Sequence, residues 1–281
     1  MKESRIAGKI PRQITKWACH KLECFNDYIE AYTKILGSSD CCYLELFAGC
    51  GSCTCKGTDC LVDGSELRAS KTRFSQCVFV VKDNQDAENL KRLVAPFGTK
   101  NAIIIGNLIN DNVMRQAFDF VPRSKASFAF INPPGYRMLR WSSIKKLAMH
   151  GSDWKGHKIE LLIILPLEMA LLRNLARPEC EASINRLFGN QKWQLIRQER
   201  LSGKIEADEV RKKLVVLFKA GLKSLGYRYI KDFKPARFTN PPYYHLIWAS
   251  DMASRAKMLG TAWSKERYLP CELFHSSKGQ F

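Results

Sequence analysis

Tyr43-Leu44-Glu45-Leu46-Phe47-Ala48-Gly49-Cys50-Gly51-Ser52 decides how the rest of the chain is read. Its apolar run has the pattern of a buried strand and carries one acid, Glu45. The run ends in Gly49-x-Gly51. Glycine lets a backbone pass close to a ligand and adopt φ values that other residues avoid. A strand that opens into such a turn is how doubly wound α/β folds hold a nucleotide-like cofactor. A glycine pair by itself is often only a turn, so the order of the elements around it carries the inference.

Upstream, Ala18, Leu22, Phe25, Ile29, Tyr32 and Leu36 recur in steps of four and three, which predicts an amphipathic helix over 16–36. Gly37-Ser38-Ser39-Asp40 stops it. Downstream, the polar, Cys- and Gly-rich stretch from Ser52 to Gly64 reads as a loop, and Ser65 to Ser75 as a short helix capped by Ser65. Strands and helices then alternate: strand 76–81, helix 87–95, strand 102–105, helix 113–120, strand 126–131, helix 142–150, strand 161–165. That alternation predicts a parallel sheet covered on both faces. Beyond Pro166 the chain turns helical, over 168–176, 180–188 and 206–225. Leu214 to Phe218, inside the last of these, fits a strand as well as a helix. Tyr243 to Ala249 reads as a strand, 251–263 as a closing helix, and the tail from Ser264 as frayed. The expected fold class is α/β: a doubly wound, mostly parallel sheet of Rossmann type with a helical C-terminal elaboration. The expected organisation is a helical segment over 1–40, a cofactor-binding core over 41–166, an elaboration of the same domain over 167–263, and a tail over 264–281.

Composition narrows the function classes. The 281 residues, 46% of them hydrophobic, suffice for a sizeable core. No apolar run reaches the roughly 20 residues of a membrane span. The basic stretch Met1 to Gln13 lacks the apolar centre of a secretory signal. The expectation is a cytoplasmic protein with no membrane partner. Forty-five Lys and Arg against 27 Asp and Glu give a net charge of +18. That excess favours polyanions, nucleic acid first, or else is a basic surface without a specific partner. Lys145-Lys146, Arg197 to Arg200 and Arg211-Lys212-Lys213 are the denser spots and read as solvated helix faces. The 11 cysteines, without a secretory signal, read as reduced thiols. Cys50-x2-Cys53-x-Cys55-x4-Cys60 is grouped closely enough to hold zinc or an iron–sulfur cluster, yet matches no standard knuckle spacing. Unliganded thiols are the expectation, and no metal is assigned.

In a doubly wound sheet the ligand sits at the carboxyl ends of the strands. The ends here are Glu45 to Gly51, Lys82-Asp83, Gly106-Asn107 and Asn132 to Gly135. Side by side they form one cleft. Glu45, Phe47, Gly49 and Gly51 are then placed for the amino-acid part of a cofactor, Asp83 for ribose hydroxyls, and Asn107 for an adenine amino group. That order is the one expected for S-adenosylmethionine. Asn132-Pro133-Pro134-Gly135 resembles the Asn-Pro-Pro-aromatic loop of amino-group methyltransferases. In that loop the Asn oxygen and a Pro carbonyl accept hydrogen bonds from the target nitrogen, and prolines preorganise the acceptors. The aromatic that stacks on a flipped base falls one position late here, at Tyr136, with Trp141 as the other candidate. The bland alternative is a stiff strand-exit turn. A second copy, Asn240-Pro241-Pro242-Tyr243, comes after a loop-like stretch and reads as a decoy.

Taken together the chain resembles the three-Cys-motif partner proteins, a family with a Rossmann-type methyltransferase fold. The resemblance runs through Trp17 to Leu36, Leu46-Phe47-Ala48-Gly49-Cys50-Gly51, Asp63-Gly64-Ser65, Ile131 to Gly135 with Trp141, Leu171-Leu172-Arg173-Asn174, and Tyr244 to Ser250. It implies S-adenosylmethionine as cofactor and a protein partner carrying three cysteines, which are not the cysteines of this chain. The sequence departs from the family pattern at Glu45, Asn107 and Asn132, where Asp is usual. It departs again at Val81, where the ribose-binding acid would fall. Two readings stand: a methyltransferase acting on nucleic acid at an exocyclic amine, and a non-catalytic scaffold on the same fold that binds nucleic acid or protein.

Overall fold

The computed structural model describes residues 12–36, 41–57, 60–108, 110–150, 158–233, 245–255 and 257. Arg12–Ile14 (β1) precedes a long helix, Lys16–Leu36 (α1). Next come Cys41–Ala48 (β2), Ser52–Cys55 (β3), Leu61–Asp63 (β4) and Ser65–Lys71 (α2). The alternating part runs Gln76–Val81 (β5), Asn84–Val94 (α3), Asn101–Ile105 (β6), Asp111–Asp119 (α4), Ala126–Ile131 (β7), Trp141–His150 (α5) and Glu160–Leu165 (β8). After a π-helical segment, Leu167–Leu172, come Glu181–Phe188 (α6), Trp193–Leu201 (α7), Ala207–Ser224 (α8), Tyr229–Phe233 (β9) and His245–Ser250 (β10).

Seven strands form one sheet in the order β6-β5-β2-β7-β8-β10-β9. The five from β6 to β8 are parallel, and β10 runs antiparallel to both its neighbours. The chain winds outward from β2 to β5 and β6, then returns to lay β7 on the other side of β2. The order therefore reverses between β2 and β7, and a doubly wound sheet opens its ligand crevice there, at the carboxyl ends.

The strands are apolar on both faces because each face is covered. On one face Tyr43, Phe79, Phe128 and Phe130 pack with Phe25, Tyr28 and Tyr32 of α1 and with Leu90 of α3. On the other, Leu44, Val80, Ile131 and Ile163 pack with Met114, Leu147, Ile184 and Phe218 from α4, α5, α6 and α8. Trp141 fastens the second layer. Its ring lies edge-on to Phe218 at 5.5 Å. It fills a slot that exists because Gly189 and Gly221 have no side chain: a Cβ on Gly221 would stand 2.6 Å from the ring, and one on Gly189 would collide with it too.

The opposite end of the sheet carries a buried polar knot. Glu160, fully buried, accepts from Tyr28 Oη, from Trp248 Nε1 at 3.0 Å and from Arg255 Nη1 at 3.3 Å. Arg255 Nη1 also reaches Tyr32 Oη at 3.1 Å, and its guanidinium lies over the Tyr32 ring. Burial pushes the Glu160 carboxyl above its ordinary range, against the pull of Arg255. The knot ties α1 to β8, β10 and the turn beyond.

The expected α1, β5 and β7 fall on their predicted residues, and 214–218 is helical, within α8. Two expectations are corrected. The stretch after Gly51 is a hairpin, not a loop: β3 pairs with β4, and β1 adds in parallel on its other edge. Its strands are three or four residues long, too short for a period to show, β3 being only Ser, Cys and Thr, and its third strand comes from forty residues away. Ser65 is no cap; Gly64 holds that position. α7 and β9 stand where the sequence pattern predicts no element. The second Asn-Pro-Pro copy and most of the expected 251–263 helix lie outside the described residues.

The knot generates a double-mutant test. Arg255→Met alone, which strands a buried carboxylate, should cost about 3–5 kcal/mol in urea unfolding. Glu160→Leu with Arg255→Met should recover most of that loss. Additive losses would mean that the two groups do not interact.

Candidate functional site

β2 and β7 lie side by side with Glu45 opposite Phe130, so the segments beyond them leave from the same end of the sheet. On its other edge β2 is bulged: Glu45 pairs with Phe79 and Ala48 with Val81, so three steps on β2 match two on β5. A bulge re-aims side chains at a sheet end. Here it turns Phe47, half-buried, toward the α4–α5 layer.

The two glycines of the turn differ in kind. Gly51 is buried with φ +85°, and a Cβ there would stand 2.9 Å from Leu90 Cδ1 and 3.2 Å from Leu93 Cδ1 of α3. Its identity is demanded by the fold. Gly49 has no left-handed φ, is partly exposed, and would bring a Cβ no nearer to the surrounding protein than 3.4 Å, against Glu66 Oε1. The fold does not demand glycine there.

The turn is gripped by the start of α2. The Gly49 N–H donates to Glu66 Oε1, and the Gly64 N–H donates to the Gly51 carbonyl at 2.9 Å. A Cβ on Gly64 would collide with Glu66. Beneath the turn Glu45, 1% exposed, accepts from Tyr43 Oη at 2.8 Å and Ser65 Oγ at 2.7 Å. Burial, then the Glu45 charge, pushes the Tyr43 phenol well above its ordinary value, so it stays a donor. Ser65 and Glu66 are site residues that sequence reasoning missed. The available signal was Asp63-Gly64-Ser65-Glu66, a glycine and an acid opening a helix that returns to the turn.

The remaining strand ends hold the other candidates. Val81 is buried among the α1–α3 layer. Asp83 is exposed and caps α3, its Oδ1 accepting from the Asp86 N–H at 3.0 Å. Asn107 is half-buried and opens the turn before α4, where its carbonyl accepts from the Asn110 N–H at 2.8 Å. After β7, Asn132 is half-buried, Pro133 buried and Pro134 exposed. Gly135 is extended (φ −176°, ψ 161°), with nothing near its missing side chain.

Tyr136 departs from its expected place. It is 2% exposed, packed in the α4–α8 layer, with Arg137 Nε donating to its hydroxyl at 3.3 Å and Ser183 Oγ 3.4 Å away. Trp141 is wedged between its two glycines. Each ring is packed against α6 or α8, Tyr136 buried and Trp141 half-buried. The tyrosine one position late opens a 3-10 turn, Tyr136–Met138, closed by the Met138 N–H on the Gly135 carbonyl at 3.1 Å, and its ring is part of the core.

Among the described residues no group of three or more His, Cys, Asp or Glu is placed to hold a metal. No helix among them is long and apolar enough to cross a membrane. The denser basic spots all have acidic partners: Lys146 with Asp111, Arg197 with Glu181, Arg200 with Glu206, Arg211 with Asp208, Lys212 with Glu209 and Lys213 with Glu199.

No family model matches the chain, and no curated protein matches its sequence. Its backbone is similar to solved structures of low identity. TYW2 from M. jannaschii in complex with AdoMet is 8% identical over 80% of this chain and 75% of its own, with a TM-score of 0.40. Trm1 from Pyrococcus horikoshii with S-adenosyl-L-methionine is 11% identical over 86% and 57%, with a TM-score of 0.46. DszA carbon methyltransferase is 14% identical over 80% and 51%, with a TM-score of 0.43. The chain thus spans between half and three quarters of their lengths. Its sheet order and winding make it a Rossmann-like α/β fold.

The difference between the glycines is testable. Gly51→Ala should destabilise the fold by about 1–3 kcal/mol, through its positive φ and the clash with α3. Thermal denaturation checks this, and an unchanged melting temperature would contradict the packing described.

Proposed function

We propose that the chain is an S-adenosylmethionine-dependent methyltransferase acting on nucleic acid, at an exocyclic amino group. The observation that supports this most is Gly49. At the sheet's switch point the chain has a glycine that neither its φ nor its neighbours require, and the missing side chain leaves open space beside the carboxyl ends of β2 and β7. A cofactor lying against the backbone explains that space. Gly135, equally unforced, faces no protein atom within 4 Å on the neighbouring strand end.

In this reading each residue has a role. Gly49 and Gly51 would line the amino-acid end of the cofactor, with Phe47 beside them. Glu45, Ser65 and Glu66 keep the turn in shape. Asp83 and Asn107 would meet the nucleoside, Asp83 through whatever its capping bond leaves over. When bound, the cofactor supplies a methyl group on a positively charged sulfur. Asn132 Oδ1 and the Pro133 carbonyl would accept hydrogen bonds from the target amine, aim its lone pair and leave it neutral for attack. Pro134 stiffens the loop. Orientation of this kind carries most of the acceleration in such a transfer. No general base is required until the product ammonium loses its proton to water.

The motif resemblance supports membership of the three-Cys-motif partner proteins, and with it a protein partner and a cytoplasmic location. A second reading, a binding scaffold without catalysis, is favoured by Val81, whose buried side chain replaces the ribose acid, and by the buried Tyr136.

Isothermal calorimetry separates the two. The native chain should bind S-adenosylmethionine, and Gly49→Ala should weaken binding at least tenfold while melting within a degree or two of native. Asn132→Ala should bind the cofactor normally and lose methyl transfer to nucleic acid. A native chain that does not bind the cofactor would leave the scaffold.

A further inference from the structure

β8 leaves the carboxyl end of the sheet through Pro166 into the π-helical segment, so the helical elaboration starts on the same end as Gly49 and Asn132. Beyond it, α7 and α8 diverge from Gly203, a left-handed turn residue with φ +72°. Between them and the segment after the π-helix lies a cleft of about 520 Å³. Leu175, Ala176, Ala207 and Val210 give it apolar walls, and Arg197 and Arg200 stand in its lining.

Neither guanidinium is loose. Arg197 donates to the Ala176 carbonyl at 3.2 Å and to Glu181 at 3.4 Å. Arg200 donates to the Ile205 carbonyl and to Glu206, each at 3.1 Å. A guanidinium has five N–H donors, so these bonds fix its position without exhausting it. Local charge stays positive after the pairing: residues 172–213 hold ten Lys or Arg against six Asp or Glu. The volume is that of a small-molecule site. Apolar walls next to fixed, planar cations suit a ligand with a flat apolar part and an anionic part. Arginine matches phosphate with paired donors and stacks on bases. On a chain of net charge +18 the ligand with both parts is a nucleotide of a polyanion.

We infer that this cleft holds one nucleotide of a single-stranded nucleic acid, its base or sugar against Leu175, Ala176 and Val210 and its phosphates on Arg197 and Arg200. It thereby sets which nucleotide along the strand reaches Asn132. This last clause rests on the methyltransferase reading; the cleft's occupancy by nucleic acid does not.

The test uses the full chain and fluorescein-labelled single-stranded 12-mers of RNA and DNA, with anisotropy measured over a salt series. Arg197→Ala with Arg200→Ala should lower affinity at least tenfold and reduce the slope of log K against log salt by about 1.4, two phosphates' worth for a single strand. Ala207→Trp fills the cleft from an exposed helix start, so the fold survives; it should lower affinity similarly and leave the slope near native. Calorimetry with S-adenosylmethionine on the same samples should give native binding for both variants. If the native chain binds the 12-mers but not S-adenosylmethionine, and the variants still lose 12-mer affinity, the cleft assignment stands and the methyl-donor reading falls. Native 12-mer affinity in Ala207→Trp would overturn the assignment. So would binding of an acidic, leucine-rich helical peptide that Ala207→Trp abolishes while 12-mer affinity is unmoved, which would give the cleft to a protein partner.

Discussion

The bond from the Gly49 N–H to the Glu66 carboxylate is the constraint on which the site depends. In a doubly wound fold the glycine turn usually runs straight into its helix. Here a hairpin stands between them, and the helix start must return to the turn and be fastened there. Glu66 fastens it from the side, Ser65 through Glu45 from below, and Gly64 by backbone contact with Gly51. Two of these bonds, from the Gly49 N–H and from Ser65 Oγ, end on carboxylates, the stronger class of acceptor. Without them the turn would be a free loop on a hairpin stalk, and no preorganised surface would face the crevice.

That grip explains an apparent misfit between residue type and role. Glu45 reads as a ligand-facing acid because it is the only charge in an apolar strand. A lone carboxylate in a core must be satisfied, and here the donors are Tyr43 and Ser65. The carboxylate braces the helix start that grips the turn. Tyr136 shows the same logic: a ring expected at the surface is needed in the layer where α6 packs, and an unforced glycine before it leaves the loop open instead.

The parallel core was legible because its signals are local. Each strand is an apolar run, buried on both faces in all but the edge strand β6, and Gly, Asn and Pro punctuate strands and helices. The features that escaped are short or distant. β1, β3 and β4 have too few residues for a period, and their pairing joins Arg12 to Cys53. α7 carries Arg197, Glu199 and Arg200 on a helix with few buried residues, so its charges read as a solvated face when two of them line a cleft. For the site, the sequence identified the strand ends but not the residues that steady them, since Ser65 and Glu66 act across a hairpin. Nor could it distinguish Gly51, held by α3, from Gly49, which nothing in the fold requires; that takes coordinates.

The central claim is that the space beside Gly49 receives a cofactor. Amide hydrogen exchange with and without saturating S-adenosylmethionine tests it most directly. The expected result is added protection over residues 45–66 and around 132–135, with the sheet's opposite end, near Glu160, unchanged. Exchange that is identical with and without the compound, or protection confined to α6–α8, would contradict it.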